Sequence, residues 1–220
     1  MAAGSGTRLG ADRPKAFVEV AGQTLLEHAV DTAVAAGADA VVVVAPVTHL
    51  DQARMSLERR SGLGRPELIV VAGGAERSDS VAAGLAALDR PDIDVILVHD
   101  AARAFTPAEV YGRVIDAVRA GADAAIPALP VVDTIKVVDD EGVVRSTPDR
   151  ASLRAVQTPQ GFGAEVLRAA HADGRHATDD AALVEAMGRR VVVVDGHPDA
   201  FKVTTPADLA GAEGAFRRGR

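Results

Sequence analysis

The 220-residue chain has no cysteine and no tryptophan. Without cysteine, disulfides, thiolate nucleophiles and cysteine-ligated zinc are all excluded, as suits a reducing compartment. Long hydrophobic runs are missing too. The longest, such as Ala40 to Ala45, fall far short of the roughly 20 apolar residues that span a bilayer. The N-terminus opens on a polar glycine loop instead of a signal sequence, so the expectation is a soluble, cytoplasmic protein with no membrane partner. Aromatic residues make up only 3% of the chain, and the formal charge of −7 comes with no basic stripe. That combination argues against nucleic acid as a partner. Any anionic ligand must therefore be gripped locally. Lysine is scarce as well: arginine outnumbers it 21 to 3, and Lys15, Lys136 and Lys202 each fall in a segment that stands out for other reasons. A compact ammonium is not interchangeable with a planar guanidinium, so a lysine kept in an arginine-biased chain hints at a local need for it.

What the chain does have is a glycine loop at residues 2–15, AAGSGTRLGADRPK. Gly4, Gly6 and Gly10 let the backbone turn its N–H groups toward an anion, and Arg8 and Lys15 bring full positive charges to the same spot. A polyphosphate suits such a loop, although the same residues also make ordinary surface loops. No Gly-Lys-Ser/Thr follows, so it is not a Walker loop, and the glycine spacing is not that of the dinucleotide fingerprint. A phosphate-binding glycine loop normally follows a buried strand. Here only Met1 precedes Ala2. The expectation is a first strand missing from the N-terminus, through a start set too late, which would leave two neighbouring strands with unpaired edges.

At this length and 48% hydrophobic content, a single domain over 1–220 is expected. Short β-branched runs alternate with helical stretches, the pattern of an α/β fold with a Rossmann-like, mostly parallel sheet and helices on both faces. Strands are expected at Ala40 to Ala45, Glu67 to Val71, Val95 to Val98, Asp123 to Ile126 and Arg190 to Val194. Helices are expected near Thr24 to Ala36, Thr48 to Arg60, Ser78 to Leu88, Pro107 to Ala120 and Asp179 to Met187, with a last one from Pro206. Thr24 with Glu27 fits a capping box, and Thr106-Pro107 with Glu109 fits another helix start. Residues 129–154 break the alternation. They read as a protruding β-arm with strands at Val131 to Val138 and around Ser152 to Val156, turning at Asp139 to Gly142. Its exposed Val131, Ile135 and Val137 predict a homodimer formed through the arm.

In an open α/β sheet the ligand lies beyond the carboxyl ends of the strands. Gly73-Gly74-Ala75-Glu76-Arg77-Ser78-Asp79-Ser80 follows one strand, and paired glycines there allow close approach of a flat base. His99-Asp100-Ala101-Ala102-Arg103 follows another, in which Asp100 suits a metal and Arg103 a phosphate. Taken singly, the glycine pair is also an ordinary turn and Asp100 an ordinary helix cap.

Taken together, the glycine loop, Pro14-Lys15, Gly73-Gly74 to Ser80-Val81, His99 to Arg103, Asp133-Thr134-Ile135-Lys136, Thr158-Pro159-Gln160, Thr178-Asp179-Asp180 and Phe201-Lys202-Val203-Thr204 occur in the order of one family. From residue 2 to about 212 the chain resembles the 2-C-methyl-D-erythritol 4-phosphate cytidylyltransferases of the non-mevalonate isoprenoid pathway. The resemblance implies transfer of CMP from CTP to methylerythritol phosphate, with Mg²⁺. It implies that Ala2, Ala3, Gly4 and Gly6, with Arg8 and Lys15, bind the triphosphate. Gly74, Ala75 and Ser80 would read the cytosine, with Ala101 near the ribose. Asp100 would help place the metal, and Arg103, Thr178 and Lys202 would hold the acceptor near the α-phosphorus. Thr134 and Arg150 on the arm would reach the acceptor bound to a partner subunit, with Thr158 at the arm's base. Arg8, Lys15 and Lys202 would be the catalytic cations. The family often has an acidic residue where this chain has Ala75.

The chemistry agrees. A phosphate monoester with a second pKa of about 6 is already a nucleophile at neutral pH, so no general base is required. The motifs accordingly lack a Ser-His-Asp arrangement, and His99 reads as a packed neighbour of Asp100. Two alternatives are a ribitol-5-phosphate cytidylyltransferase and a catalytically silent nucleotide-binding dimer. A dehydrogenase fits worse, because Asp39 precedes its strand instead of following it.

Overall fold

The computed structural model describes residues 1–3, 13–58, 60, 66–88, 90–172 and 174–218. The glycine-loop positions Gly4, Gly6, Arg8 and Gly10 lie outside the described residues. A short hairpin of β1 (Glu19–Val20) and β2 (Gln23–Thr24) leads into α1 (Leu25–Ala35). Thr24 caps that helix as expected: its hydroxyl accepts from the Glu27 N–H, and the Glu27 carboxylate accepts from the Thr24 N–H at 2.8 Å. Then follow β3 (Ala40–Ala45), α2 (Leu50–Glu58), β4 (Glu67–Ala72), α3 (Arg77–Ala87), β5 (Val95–Val98) and α4 (Ala108–Arg119). The chain continues through β6 (Ala124–Pro130), β7 (Val137–Val138), β8 (Val144–Ser146), β9 (Arg154–Val156) and β10 (Gln160–Gly163). It ends with α5 (Ala164–Ala172), α6 (Asp180–Ala186), β11 (Val191–Asp195) and α7 (Pro206–Arg218).

Strands β11, β6, β10 and β5 lie side by side in that order, with β9 alongside the end of β6, and β3 pairs with β4 in parallel. In the five-stranded sheet β9 and β10 run antiparallel to their neighbours, and β10 joins β6 to β5. Helices cover the sheet: Phe162, Leu167 and Val184 pack with Ile96 and Val98 in one core, while Phe17, Leu26, Val43 and Leu57 pack in another.

Between β3 and β5 the described residues place no strand. Met1 and Ala2 stitch the carboxyl ends of the two strands instead. The Ala2 N–H donates to Val44 O at 2.8 Å, the Met1 amine to His99 O at 2.6 Å, and the Ala101 N–H to Met1 O at 3.0 Å. Beneath this stitch lies a cavity of about 510 Å³, walled mainly by apolar side chains that include Val42, Val44, Val81, Leu85 and Ile96.

The arm differs from its expected register. Its first strand is confined to Val137–Val138, paired with Val144–Ser146, because the Asp139 carboxylate accepts from the Glu141 and Val143 N–H groups and Gly142 takes φ +80°, closing the turn directly. The strand expected around Ser152 to Val156 belongs to the body of the domain, where β9 pairs with β6. The helix start expected at Thr106-Pro107 is present: Pro107 immediately precedes α4, and the Thr106 hydroxyl donates to Arg103 O.

Candidate active site

A second cavity, about 410 Å³, opens at the carboxyl ends of the strands. Its walls bring together Ala2, Ala3, Lys15, Gly74, Ala75, Ser80, Asp100 and Lys202 from the expected set, joined by Met1, Ala16, Glu76, Arg77 and Ala102. Although it is the smaller of the two cavities, it gathers the cations and the glycine turn, whereas the larger one has mainly apolar walls. Lys15 starts a single turn, Lys15–Phe17, anchored by the fully buried Phe17. Gly73 and Gly74 follow β4. A Cβ at Gly73 would stand 2.7 Å from the Ala3 Cβ, so this turn lies against the N-terminal segment only because that carbon is absent. The Ser80 hydroxyl folds the turn over α3 by accepting from the Gly74 N–H at 3.1 Å.

Asp100 leaves the end of β5 and ion-pairs with Lys202 Nζ at 2.7 Å instead of capping the turn that follows. Lys202 is held opposite because the buried Val203 donates its N–H to Ala102 O at 2.8 Å. Burial works against the charge on Asp100, but Lys202, the Met1 amine and Arg77 outweigh it and hold the carboxyl well below its usual range. The same burial lowers the Met1 amine, partly offset by Asp100. Beneath Asp100 the Thr158 hydroxyl accepts from the Asp100 N–H at 3.1 Å and lies 2.9 Å from His99 Nδ1. Burial pushes the His99 imidazole down to about 3, and Nε2 is buried with no partner among the described residues.

Other expected residues lie elsewhere. Ala101 is buried against the Phe17 core, and its neighbour Ala102 lines the cavity. Arg103 donates to Ala200 O at 2.7 Å and to Val156 O at 3.2 Å, bracing the base of the arm against the segment that carries Lys202. Thr178 is exposed just before α6. Thr134 and Arg150 are exposed on the arm, where Arg150 donates to Val132 O and Lys136 to the Thr147 hydroxyl, both at 2.8 Å. Among the described residues no group of three or more His, Asp or Glu side chains is placed to hold a metal ion. A lone carboxylate is nevertheless the usual protein share of a magnesium site, with substrate phosphates completing the shell.

Sequence reasoning gave no role to Arg77, Asp180 or Gln160. Arg77 Nη2 donates to Asp180 Oδ2 at 2.6 Å, and His171 Nε2 lies 3.0 Å from Asp180 Oδ1. Gln160 Nε2 donates to Asp179 Oδ2 at 2.7 Å, and its Oε1 accepts from the Ala181 N–H. The Thr158-Pro159-Gln160 and Thr178-Asp179-Asp180 motifs hinted at this cluster, but no spacing in the sequence pairs residues 103 positions apart.

A glycine turn and a cation-lined cleft at the strand ends of an α/β sheet define a nucleotide-binding enzyme fold. The family model for IspD, 2-C-methyl-D-erythritol 4-phosphate cytidylyltransferase, matches residues 1–218, and the chain belongs to that family. It is similar to the 2-C-methyl-D-erythritol 4-phosphate cytidylyltransferase of Rhodococcus jostii, with 53% identity over 99% of this chain and 93% of the relative. It is 55% identical to the Nocardia farcinica enzyme of the same name over 96% of this chain and 90% of that one. Among solved structures, the 4-diphosphocytidyl-2C-methyl-D-erythritol synthase of Anaerococcus prevotii superposes with a TM-score of 0.84 at 32% identity, over 99% and 95% of the two chains. The 2-C-methyl-D-erythritol 4-phosphate cytidylyltransferase of Thermus thermophilus gives 0.77 at 37% identity, over 98% and 96%.

Proposed function

We infer that the protein transfers CMP from CTP to 2-C-methyl-D-erythritol 4-phosphate, giving 4-diphosphocytidyl-2-C-methyl-D-erythritol and pyrophosphate in isoprenoid precursor biosynthesis. The observation that carries this reading is the family match over residues 1–218. The cavity has the chemistry the reaction needs. The acceptor's phosphate monoester, with a second pKa of about 6, attacks the α-phosphorus in its dianionic form. A base is unnecessary, and His99, held near 3 and buried, takes no proton at neutral pH. The difficulty is to bring two polyanions together and stabilise charge on the phosphoryl oxygens. Lys15, Lys202 and Arg8 are the cations we assign to that work; fixed cations in phosphoryl transfer are worth about 10³ to 10⁵ in rate.

On this reading the backbone at Ala2, Ala3, Gly4 and Gly6 holds the triphosphate. Gly74, Ala75 and Ser80 face the cytosine, with Ala101 behind the ribose, and Arg103, Thr158 and Thr178 shape the acceptor side. Magnesium fits Asp100, which its cationic neighbours keep ionised against the cost of burial and which stands in the cavity wall. When bound, the ion supplies positive charge to the phosphate oxygens.

The reading extends to one catalytic domain with a β-arm at about 129–154, and to a homodimer in which Thr134 and Arg150 reach the partner's acceptor. The exposed Val132, Val137, Val138, Val143 and Val144 support it, because apolar residues so concentrated on an arm are covered by association. No helix of the described residues is long and apolar enough to cross a membrane, and we place the enzyme in the cytoplasm. The test is pyrophosphate release from CTP and Mg²⁺ with methylerythritol 4-phosphate or ribitol 5-phosphate in separate reactions. Turnover with the first acceptor alone is expected. Turnover with ribitol 5-phosphate alone reassigns the acceptor, and silence with both leaves a nucleotide-binding dimer.

A further inference from the structure

We propose that Arg77 is a further nucleotide-binding residue and that Asp180 is the positioning residue that aims it. The proposal deepens the reading of the 410 Å³ cavity as the CTP site and rests on it. Arg77 opens α3 directly after the turn that carries Gly74 and Ala75, and it is the one arginine among the described residues lining that cavity. Its side chain is 30% exposed, whereas Asp180 is fully buried.

A guanidinium carries five N–H donors in a rigid plane. Among the described residues its one hydrogen bond uses a single donor, on Asp180 Oδ2, and the others remain for a ligand in the cavity. The remaining carboxylate oxygen is occupied by His171 from α5, so Asp180 is gripped on both sides and cannot swing away. Its backbone is gripped too. Asp179 accepts from the Ala182 N–H at 3.0 Å, and Gln160 ties Asp179 and Ala181 to the strand beside Thr158.

An ion pair kept only for stability gains little over apolar residues of similar size, because the charges must first leave water. Here the anionic end is sealed while the cationic end opens into the cavity. That asymmetry is what a site needs to hold a donor in one orientation before the nucleotide arrives. A lysine could not do both jobs, since its ammonium is a point charge without a planar fork. Because Arg77 adjoins Gly74, Ala75 and Ser80 in the cavity wall, its effect belongs to the nucleotide and not to the acceptor.

The test compares native protein with Asp180→Asn and with the double variant Arg77→Met/Asp180→Leu, which replaces the ion pair by apolar side chains of similar size. CTP binding without acceptor, KM for each substrate, kcat and thermal unfolding are measured. Both variants are expected to weaken CTP binding and raise its KM by at least about tenfold, the loss of one charge-assisted hydrogen bond, with the acceptor's KM nearly unchanged. Asp180→Glu is expected to recover part of the affinity. If the double variant folds and binds CTP like native protein, the pair is structural and the proposal is overturned. Equal losses for both substrates, in step with lowered thermal stability, overturn it as well. Failure of native protein to bind CTP would instead remove the underlying site reading.

Discussion

Lys202 and Asp100 face each other across the cavity at 2.7 Å, and the lysine helps keep the largely buried carboxyl ionised. Replacing Lys202 or Lys15 by alanine is expected to lower turnover by at least about 10²-fold, as for other preorganised charges at a reacting centre, with the fold intact. Turnover within about twofold of native in either variant would remove its catalytic role. His99 carries a separate consequence. Its imidazole is held near 3, against an ordinary value of 6.5 in the unfolded chain. Between those values the unfolded state binds the extra proton, so the stability from neutral His99 is full above pH 6.5 and falls as pH drops toward 3. Asp100 acts only lower, because its carboxyl is depressed from 3.8, and its contribution is lost below that value. Urea unfolding of His99→Gln from pH 6.5 to about 4 is expected to depend less on pH than native unfolding; parallel curves would trace the native pH dependence to other groups. At this scale the sequence was informative where a glycine turn or a charged residue follows a strand, as at Gly74 and Asp100, and where one of the few lysines stands, as at Lys15 and Lys202. It was silent on Arg77 and Asp180, because a charged residue in a polar run gives no sign of a partner that only folding brings near.

The elements that were legible are those whose side chains decide their fate locally. Ala40–Ala45 and Val95–Val98 form strands with the expected bounds, since β-branched runs flanked by polar residues have few other uses. The strand Gln160–Gly163 was not foreseen: two glycines and one Phe carry no strand signal, and it forms because β5 and β6 both present edges for it to pair with. Ala164–Ala172, mostly small and polar residues, was likewise overlooked as a helix. The cavity between β3 and β5 gives an element-scale prediction. An apolar extension of five alternating Val and Ile residues ahead of Met1 is expected to enter it and raise the thermal midpoint by at least about 5 °C, since each buried side chain contributes about 1.5 to 3 kcal/mol. A Gly-Ser extension of equal length is expected to leave the midpoint unchanged. Equal midpoints for the two extensions would mean that the slot does not accept a strand.

For the whole molecule, a chain of net charge −7 sets Lys15, Lys202 and Arg77 in one cleft and leaves valines bare on one arm. Light scattering at micromolar concentration is expected to give twice the chain mass, 45 kDa against 22.6 kDa for one copy. Substituting Val137 and Val144 with lysine is expected to shift that mass toward one copy and lower acceptor turnover together. A fully active single copy would take Thr134 and Arg150 out of a shared site. The scarcity of lysine makes the protein its own reporter. The chain has three lysines, and Lys15 and Lys202 line the same cavity while Lys136 sits on the arm. Reductive ¹³C-methylation, which keeps the positive charge, would therefore give an NMR spectrum of very few lines, most of them reading occupancy of the cleft and the remaining one the surroundings of the arm.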